Sequence, residues 1–217
     1  TLVVDGYVSG GSGGTPKSTG DYTKGQVPEG SPGGGVYMRS STTVNLSSTG
    51  SIVSGAISTP KMKSPPALIL DGSDSVINNQ GTIARLFPSV PELFSVDANV
   101  VPAIYVRGDR NYIINSHIIL GNATINNGQF ASTSEAIEFD GNDNTLELWG
   151  GQSMRGVVRV TGGGTGNHLI LGGANAGTFN FGLLDQIDPG SENRQQMGYM
   201  GFVDFVKNGT STWSGSG

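Results

Sequence analysis

Four carboxylates in the second half of the chain come closest, by type and spacing, to catalytic chemistry: Glu138, Asp140, Asp143 and Glu147. Glycoside hydrolysis uses two carboxyl groups at a defined separation, and on a strand Glu138 and Asp140 point to the same side. However, Asp140 and Asp143 belong to an Asp-Gly-x-Asp turn that also occurs at Asp71 to Asp74. Because repetition favours a structural role, the sequence predicts no catalytic residues. A carbohydrate-active lyase or glycosidase is the alternative.

Histidines and cysteines offer little for metal binding or nucleophilic catalysis. The chain has no cysteine, and His117 and His168 stand far apart, without a spacing such as His-x-x-x-His. Residues 163–171 approach the calcium-binding nonapeptide of RTX proteins, but His168 stands where that motif needs its ligand Asp, and there is one copy. We therefore expect no metal and no cofactor.

The tripeptide Arg107-Gly108-Asp109 matches the sequence that integrins bind. Its turn aligns with the two Asp-Gly-x-Asp turns, and the alignment predicts two columns of alternating charge: Asp71, Arg107 and Asp140 in one, and Asp74, Arg110 and Asp143 in the next. Opposite charges on adjacent strands attract by about 0.2–1 kcal/mol for each exposed pair. The sequence favours this charge ladder and keeps integrin binding as the alternative.

A repeated block must position these turns. It comprises a short strand with alternating apolar residues, a turn and a second strand, and it recurs at 67–77, 103–113 and 136–146, with a weaker copy at 36–46 and a continuation at 156–162 and 167–171. Strands this short are not stable alone, but stacked coils would bury one continuous apolar column. The repeat therefore predicts an all-β parallel solenoid. Asn is frequent near the turns, among other places at Asn79, Asn115, Asn144 and Asn167, where it tolerates left-handed backbone and can form ladders with its counterparts.

Composition agrees with this architecture. Glycine accounts for 36 of 217 residues, charged residues for 13% and apolar residues for 35%, and no segment has the apolar period of a long helix. The net charge of -5 is spread along the chain without a basic cluster, which argues against nucleic acid as a partner. No apolar run is long enough to span a membrane as a helix.

Three segments interrupt the repeat. Residues 10–35 are rich in Gly, Ser, Pro and Thr and are interpreted as a long loop, and residues 188–200 as a smaller excursion. Residues 85–102 are apolar but divided by prolines, which predicts an insertion that either packs on the flank of the solenoid or presents a binding surface, and we favour the binding surface. Its proposed anchors are Phe87, Leu93 and Phe94.

Two stretches of the chain, Val76–Ile83 and residues 201–217, have the pattern of repeated coil elements. With them the chain resembles, over about two-thirds of its length, the passenger domains of bacterial autotransporters. Residues 201–217 look like the start of the passenger-associated repeat of that family, apart from Ser211 where Gly is usual and Trp213 where Leu is usual. The resemblance implies one right-handed parallel β-helix over residues 1–217, as a fragment, with a translocating β-barrel beyond residue 217. It also implies a non-catalytic adhesin, secreted or displayed on a Gram-negative cell, that binds a host surface receptor. A structural spacer is the remaining alternative.

Overall fold

The computed structural model describes residues 1–10, 33–39, 41–55, 65–85, 101–121, 125–126, 129–130, 135–161, 164–184 and 198–216. These residues form short strands and one 3-10 turn, Phe181–Leu183. None of them forms a helix long and apolar enough to cross a membrane. The strands are β1 Leu2–Val4, β2 Tyr7–Ser9, β3 Val36–Met38, β4 Thr43–Leu46, β5 Ser51–Val53, β6 Leu68–Leu70, β7 Val76–Asn79, β8 Thr82–Ala84, β9 Ile104–Val106, β10 Tyr112–Asn115, β11 Ile118–Leu120, β12 Ile125–Asn126, β13 Gln129–Phe130, β14 Glu135–Phe139, β15 Thr145–Trp149, β16 Ser153–Arg155, β17 Val157–Val160, β18 His168–Gly172, β19 Gly177–Asn180, β20 Tyr199–Met200, β21 Asp204–Lys207 and β22 Trp213–Ser216.

Three parallel sheets form the sides of a β-helix. Sheet A has the order β1-β4-β7-β10-β15-β18-β21, sheet B the order β16-β11-β8-β5-β2, and sheet C the order β20-β17-β14-β9-β6-β3. The described chain also contains the parallel pair β19-β22 and the antiparallel pair β12-β13. Each coil runs from sheet A to sheet B or β19, then to sheet C, and returns to sheet A one strand further on. The prediction of an all-β parallel β-helix is confirmed.

Alternation along each strand places the core. In sheet C, Leu68, Ile104 and Ile137 are register partners on successive coils, and all three are completely buried. They are equivalent positions of the repeated block, so the alignment made from the sequence is the register of the sheet. Each strand hydrogen-bonds to the coils on either side at about 4.8 Å, and the apolar residues that point inward form one continuous cluster along the stack.

Buried amides hold the turns from sheet C to sheet A in register. The side-chain oxygen of Asn111 accepts a hydrogen bond from the Ser75 N–H at 2.9 Å, Asn144 accepts from the Asn111 N–H at 2.8 Å, and Asn167 accepts from the Asn144 N–H at 3.0 Å. A second ladder follows sheet A, where the Asn79 side chain donates to Asn115 at 2.7 Å. Each amide replaces a hydrogen bond that the turn would otherwise lack.

The described asparagines do not use the left-handed backbone that asparagine tolerates. The non-glycine residues with positive φ are Asp74 at 59°, Arg110 at 54° and Asp143 at 55°, and Gly166 takes the equivalent place at 70°. Each directly precedes the residue of the turn ladder. The left-handed residue reverses the chain, and this leaves the next side chain pointing inward, where an amide can bridge two coils.

Aromatic packing replaces aliphatic packing toward the C-terminal coils. Phe179 contacts Tyr199 and Phe205 with ring centroids 5.2 and 5.1 Å apart, and Phe181 lies 5.4 Å from Phe179. Trp213 donates from Nε1 to the Ser211 hydroxyl at 3.1 Å. Ser211 and Trp213 therefore contact each other in the same coil.

Candidate functional site

The longest connections between consecutive described strands join sheet B, or β19 in its place, to sheet C, at the corner that we call the loop corner. Short turns connect sheet A to the strand that follows it and sheet C back to sheet A. Between sheet B, or β19 in its place, and sheet C the chain instead runs from Ser9 to Val36, Val53 to Leu68, Ala84 to Ile104, Leu120 to Glu135, and Asn180 to Tyr199. Only Gly156 separates β16 from β17 at this corner. In sequence, two of the three predicted excursions, 10–35 and 85–102, belong to these connections, as does the third, 188–200, up to Tyr199, but most of their residues lie outside the described part of the chain.

The bases of these segments stack in the same register as the strands. Where the chain leaves sheet B, the Gly10 N–H donates to Val53 at 3.1 Å, and the Arg85 N–H donates to Leu120 at 3.0 Å. Where the chain enters sheet C, the Ala67 N–H donates to Ala103 at 2.9 Å. Successive segments therefore start and end one coil apart, side by side along the axis.

A buried arginine closes the base of the 85–102 insertion. Arg85 is completely buried, and its Nη1 donates to the Val101 carbonyl at 2.9 Å, so the two ends of the insertion are joined by a side chain. Burial lowers the pKa of the Arg85 guanidinium to about 10, which leaves it charged at neutral pH. The predicted anchors Phe87, Leu93 and Phe94 lie outside the described residues.

The next segment ends at a buried ion pair. Glu135 is 2% exposed, and its Oε1 lies 2.6 Å from Nη2 of Arg159 on the adjacent coil. Burial raises the pKa of the Glu135 carboxyl to about 7, the nearby Arg159 opposes this shift, and Glu138 adds to it. Burial outweighs the partner because removing a carboxylate from water is more unfavourable than one partly exposed guanidinium can offset.

The Arg-Gly-Asp turn lies at a different corner, between sheets C and A. Gly108 is buried, and a Cβ placed on it would overlap the carbonyl oxygen of Gly72 in the coil before. Asp109 accepts hydrogen bonds at Oδ1 from the backbone N–H of Asn142 at 2.7 Å and from its side chain at 3.3 Å. The tripeptide is thus part of the stacked turn.

In each of the two predicted charge columns, one arginine forms an ion pair with the aspartate of the preceding coil. Arg107 lies 3.8 Å from Asp71, and Arg110 contacts both carboxylate oxygens of Asp74 at 2.8 and 2.9 Å, which lowers the pKa of Asp74. Asp140 accepts a hydrogen bond from the Tyr105 hydroxyl at 3.2 Å. Each arginine therefore has its described ion-pair partner in the preceding coil.

The column that contains Arg107 also has a period of two coils, which the sequence did not predict. Arg107 stacks on Tyr105 with its guanidinium 4.8 Å from the ring centroid, and Arg39 lies 5.2 Å from the ring of Tyr37. Tyr37 donates to Asp71 at 2.5 Å, as Tyr105 does to Asp140. The signal was present as Tyr-x-Arg in alternate copies of the block.

The candidate catalytic carboxylates do not lie together in the structure. Glu138 lies on sheet C, where it accepts from the Thr161 hydroxyl at 3.0 Å, and Glu147 lies on sheet A between the Tyr112 hydroxyl at 2.5 Å and Trp149 Nε1 at 2.7 Å. Asp140 and Asp143 lie in the turn between these sheets.

The histidines occupy sheet A and its edge. His168 Nδ1 lies 2.7 Å from Asp204 of the next coil, and His117 lies between sheets A and B. Within the described part of the chain, no three His, Cys, Asp or Glu side chains are placed so that they could hold a metal ion.

Comparison of the chain with protein-family models, with curated proteins and with solved structures found no match. The class that the fold defines is a parallel β-helix.

Proposed function

We propose that this protein is the passenger region of an autotransporter and acts as a non-catalytic adhesin, with its host-binding surface at the loop corner. The observation that carries the proposal is the placement of all long inter-coil segments at one corner of a stack that is otherwise closed by short turns. Loops on a rigid scaffold are where binding residues concentrate, and a host cell-surface protein is the partner that we propose.

The 85–102 insertion is the proposed contact surface within the loop corner. Its two ends are fixed to each other by Arg85 and to the neighbouring coil by the backbone of Arg85. Its sequence carries apolar residues between prolines, and both features reduce the entropy lost when a partner binds. Phe87, Leu93 and Phe94 are the proposed anchors because aromatic and apolar residues contribute most to such interfaces.

The Arg-Gly-Asp turn is not the proposed contact. Its glycine is covered by the preceding coil, and its aspartate binds Asn142. A tripeptide held this way would have to break coil hydrogen bonds before it could enter an integrin site. We therefore propose that Arg107, Gly108 and Asp109 have a structural role and stabilise the stacking of the coils.

Replacing the insertion tests the binding surface. The protein with residues 86–100 replaced by a short Gly/Ser linker, and a full-length variant with Phe87, Leu93 and Phe94 changed to Ser, are compared with the wild type for attachment to host cells. We expect at least a tenfold loss in both variants and less than a twofold change in Arg107→Ala. Attachment that survives in both insertion variants would overturn the proposed surface.

Surface display is tested separately in the native bacterium. Antibodies raised against residues 1–217 should label intact cells or detect the protein in the medium, and the gene should continue into a β-barrel translocator. Protein found only after cell lysis would contradict the autotransporter proposal, whatever the attachment assay shows.

A further inference from the structure

A groove of about 380 Å³ lies on the outer side of sheet A, where its strands end and turn toward sheet B. Five consecutive coils contribute to it, each through side chains at matching positions. The residues that carry the argument are Asn45, Ser47, Asn78, Gln80, Ser116 and Trp149. Since coils repeat every 4.8 Å or so, the groove is a row of matching positions parallel to the helix axis, in which the apolar Val3 and Ile114 flank the amides of Asn45 and Asn78.

Paired amides line the middle of the groove. The Asn78 side chain donates to Asn45 at 2.7 Å, and the two are register partners on adjacent strands. Such a pair uses one donor and one acceptor and retains others of both kinds. Gln80, which is exposed, adds a further amide beside them. A surface that both donates and accepts at neighbouring points matches hydroxyl groups, which also do both.

A fixed indole forms one end of the groove. Trp149 donates from Nε1 to Glu147 at 2.7 Å, and Glu147 in turn accepts from the Tyr112 hydroxyl at 2.5 Å. The ring also packs on the backbone of Gly173, where an added Cβ would come within 2.7 Å of Cγ of Trp149. The indole is thereby held in place before any ligand arrives, which reduces the entropy lost on binding.

Charge indicates which kind of ligand fits. None of the described residues that line the groove is basic, whereas Asp5 lines it and Glu147 lies beside it. An anionic polymer would meet these carboxylates without a compensating cation. An uncharged chain of hydroxyl-bearing rings meets the amides along its edges and the indole on an apolar ring face.

We propose that this groove binds a linear, uncharged oligosaccharide lying along the helix axis. The site is on sheet A and does not depend on the proposed function of the loop corner. The proposed site binds without catalysis, and Glu147 serves there to hold Trp149, since its two oxygens accept hydrogen bonds from Tyr112 and Trp149.

Binding is measured by the fluorescence of Trp149 in a Trp213→Phe background, which leaves it as the single tryptophan. The probes are hexasaccharides of β-1,4-linked glucose, mannose, xylose and N-acetylglucosamine, with hexagalacturonate, a heparin hexasaccharide and an uncharged decapeptide for comparison. We expect at least one neutral hexasaccharide to bind with Kd at or below about 1 mM, and the anionic sugars and the peptide to bind at least tenfold more weakly.

Two substitutions locate the site. By calorimetry, Trp149→Ala should weaken binding at least tenfold, and Gln80→Ala should weaken it about threefold. Because Gln80 is exposed, its replacement leaves folding intact and keeps the test valid if Trp149→Ala is unstable. Tyr37→Phe on sheet C is the control and should change nothing.

The proposal is overturned if no neutral hexasaccharide binds at 10 mM, if only an anionic sugar or the peptide binds, or if Gln80→Ala and Trp149→Ala bind as the wild type does. Host-cell attachment in Gln80→Ala should equal that of the wild type, so failure of this site and failure of the loop-corner proposal are distinguishable.

Discussion

The turns from sheet C to sheet A and the segments from sheet B to sheet C flank the same strands, but different contacts keep successive coils in register at the two corners. At the first corner, a left-handed residue, a buried amide and a packed glycine recur in successive coils. At the loop corner the described bases of the segments keep register, and they are held by Arg85 and by the pair of Glu135 and Arg159. The turns from sheet C to sheet A thus fix the register of the coils, so the loop corner can carry segments of different length.

The largest effect should come from disturbing the packed corner at Gly108. We expect Gly108→Val to destabilise the protein by about 3 kcal/mol or more, or to prevent folding, because its side chain would occupy the position of the Gly72 carbonyl. Thermal and urea unfolding measure the change. Gly6→Val is the matched control, since nothing lies within 4 Å of a Cβ there, and it should change stability by less than about 1 kcal/mol. Equal stabilities would show that the glycine column does not set coil spacing.

At the loop corner, Glu135 should make stability depend on pH. The folded pKa of about 7 lies above the unfolded value of 4.5, so between these values the native state binds more protons than the unfolded chain. Stability should therefore be greatest below about pH 4.5 as far as this group is concerned, and should fall by up to about 3 kcal/mol as pH rises to 8. The wild type and Glu135→Gln are compared by urea unfolding at pH 5 and pH 8.

In that experiment Glu135→Gln should remove most of this decline, because the amide stays neutral throughout. The difference between the two proteins isolates Glu135 from other groups that titrate in the same range. Parallel curves for the two proteins would mean that Arg159 keeps the Glu135 carboxyl ionised.

Removing the arginine at the base of the insertion should have a smaller but still clear effect. Arg85→Met leaves the Val101 carbonyl without the guanidinium donor, and we expect a loss of about 2 kcal/mol together with faster proteolysis between residues 85 and 102. Arg39→Met, which changes an exposed arginine that stacks on Tyr37, should cost less than about 1 kcal/mol. Unchanged proteolysis in Arg85→Met would show that the insertion does not need this link.

The smallest effect should come from the arginine of the Arg-Gly-Asp turn. Its 3.8 Å pair with Asp71 is partly exposed, so Arg107→Ala should lower stability by at most about 1 kcal/mol, and less at high salt. Unfolding at 0.05 and 0.5 M NaCl measures this dependence. A loss well above 1 kcal/mol would mean that the charge ladder contributes more to the register of the coils than exposed ion pairs normally do.

The repeated turns could be predicted from the sequence because the residues that form each turn lie close together in the chain. Aligning the blocks at Leu68, Ile104 and Ile137 predicted the strands, their inward faces and the register that the structure has. The same alignment brought Arg107 beside Asp71. In contrast, the hydrogen-bond partners of the Asn111 and Asn144 amides could not be predicted, because these bonds form only when coils stack.

The sites depend on contacts between coils and were harder to predict. The groove on sheet A combines side chains such as Asn45, Asn78 and Trp149 that lie a coil or more apart in sequence, and no single block displays it. The pKa of Glu135 depends on burial that only the folded stack creates. The common corner of the insertions could have been found, since the 85–102 insertion, for example, lies between the second strand of the block at 67–77 and the first strand of the block at 103–113, with one further strand, β8, before it.

The two-coil period of the tyrosine and arginine column has a consequence for how such a stack can lengthen. Arg39, Asp71, Arg107 and Asp140 alternate along one line of turns, so odd and even coils are not equivalent. Duplication or deletion of a single coil would bring two arginines or two aspartates together, whereas a change of two coils would restore the alternation. We expect this part of the helix to tolerate growth or shortening in pairs of coils.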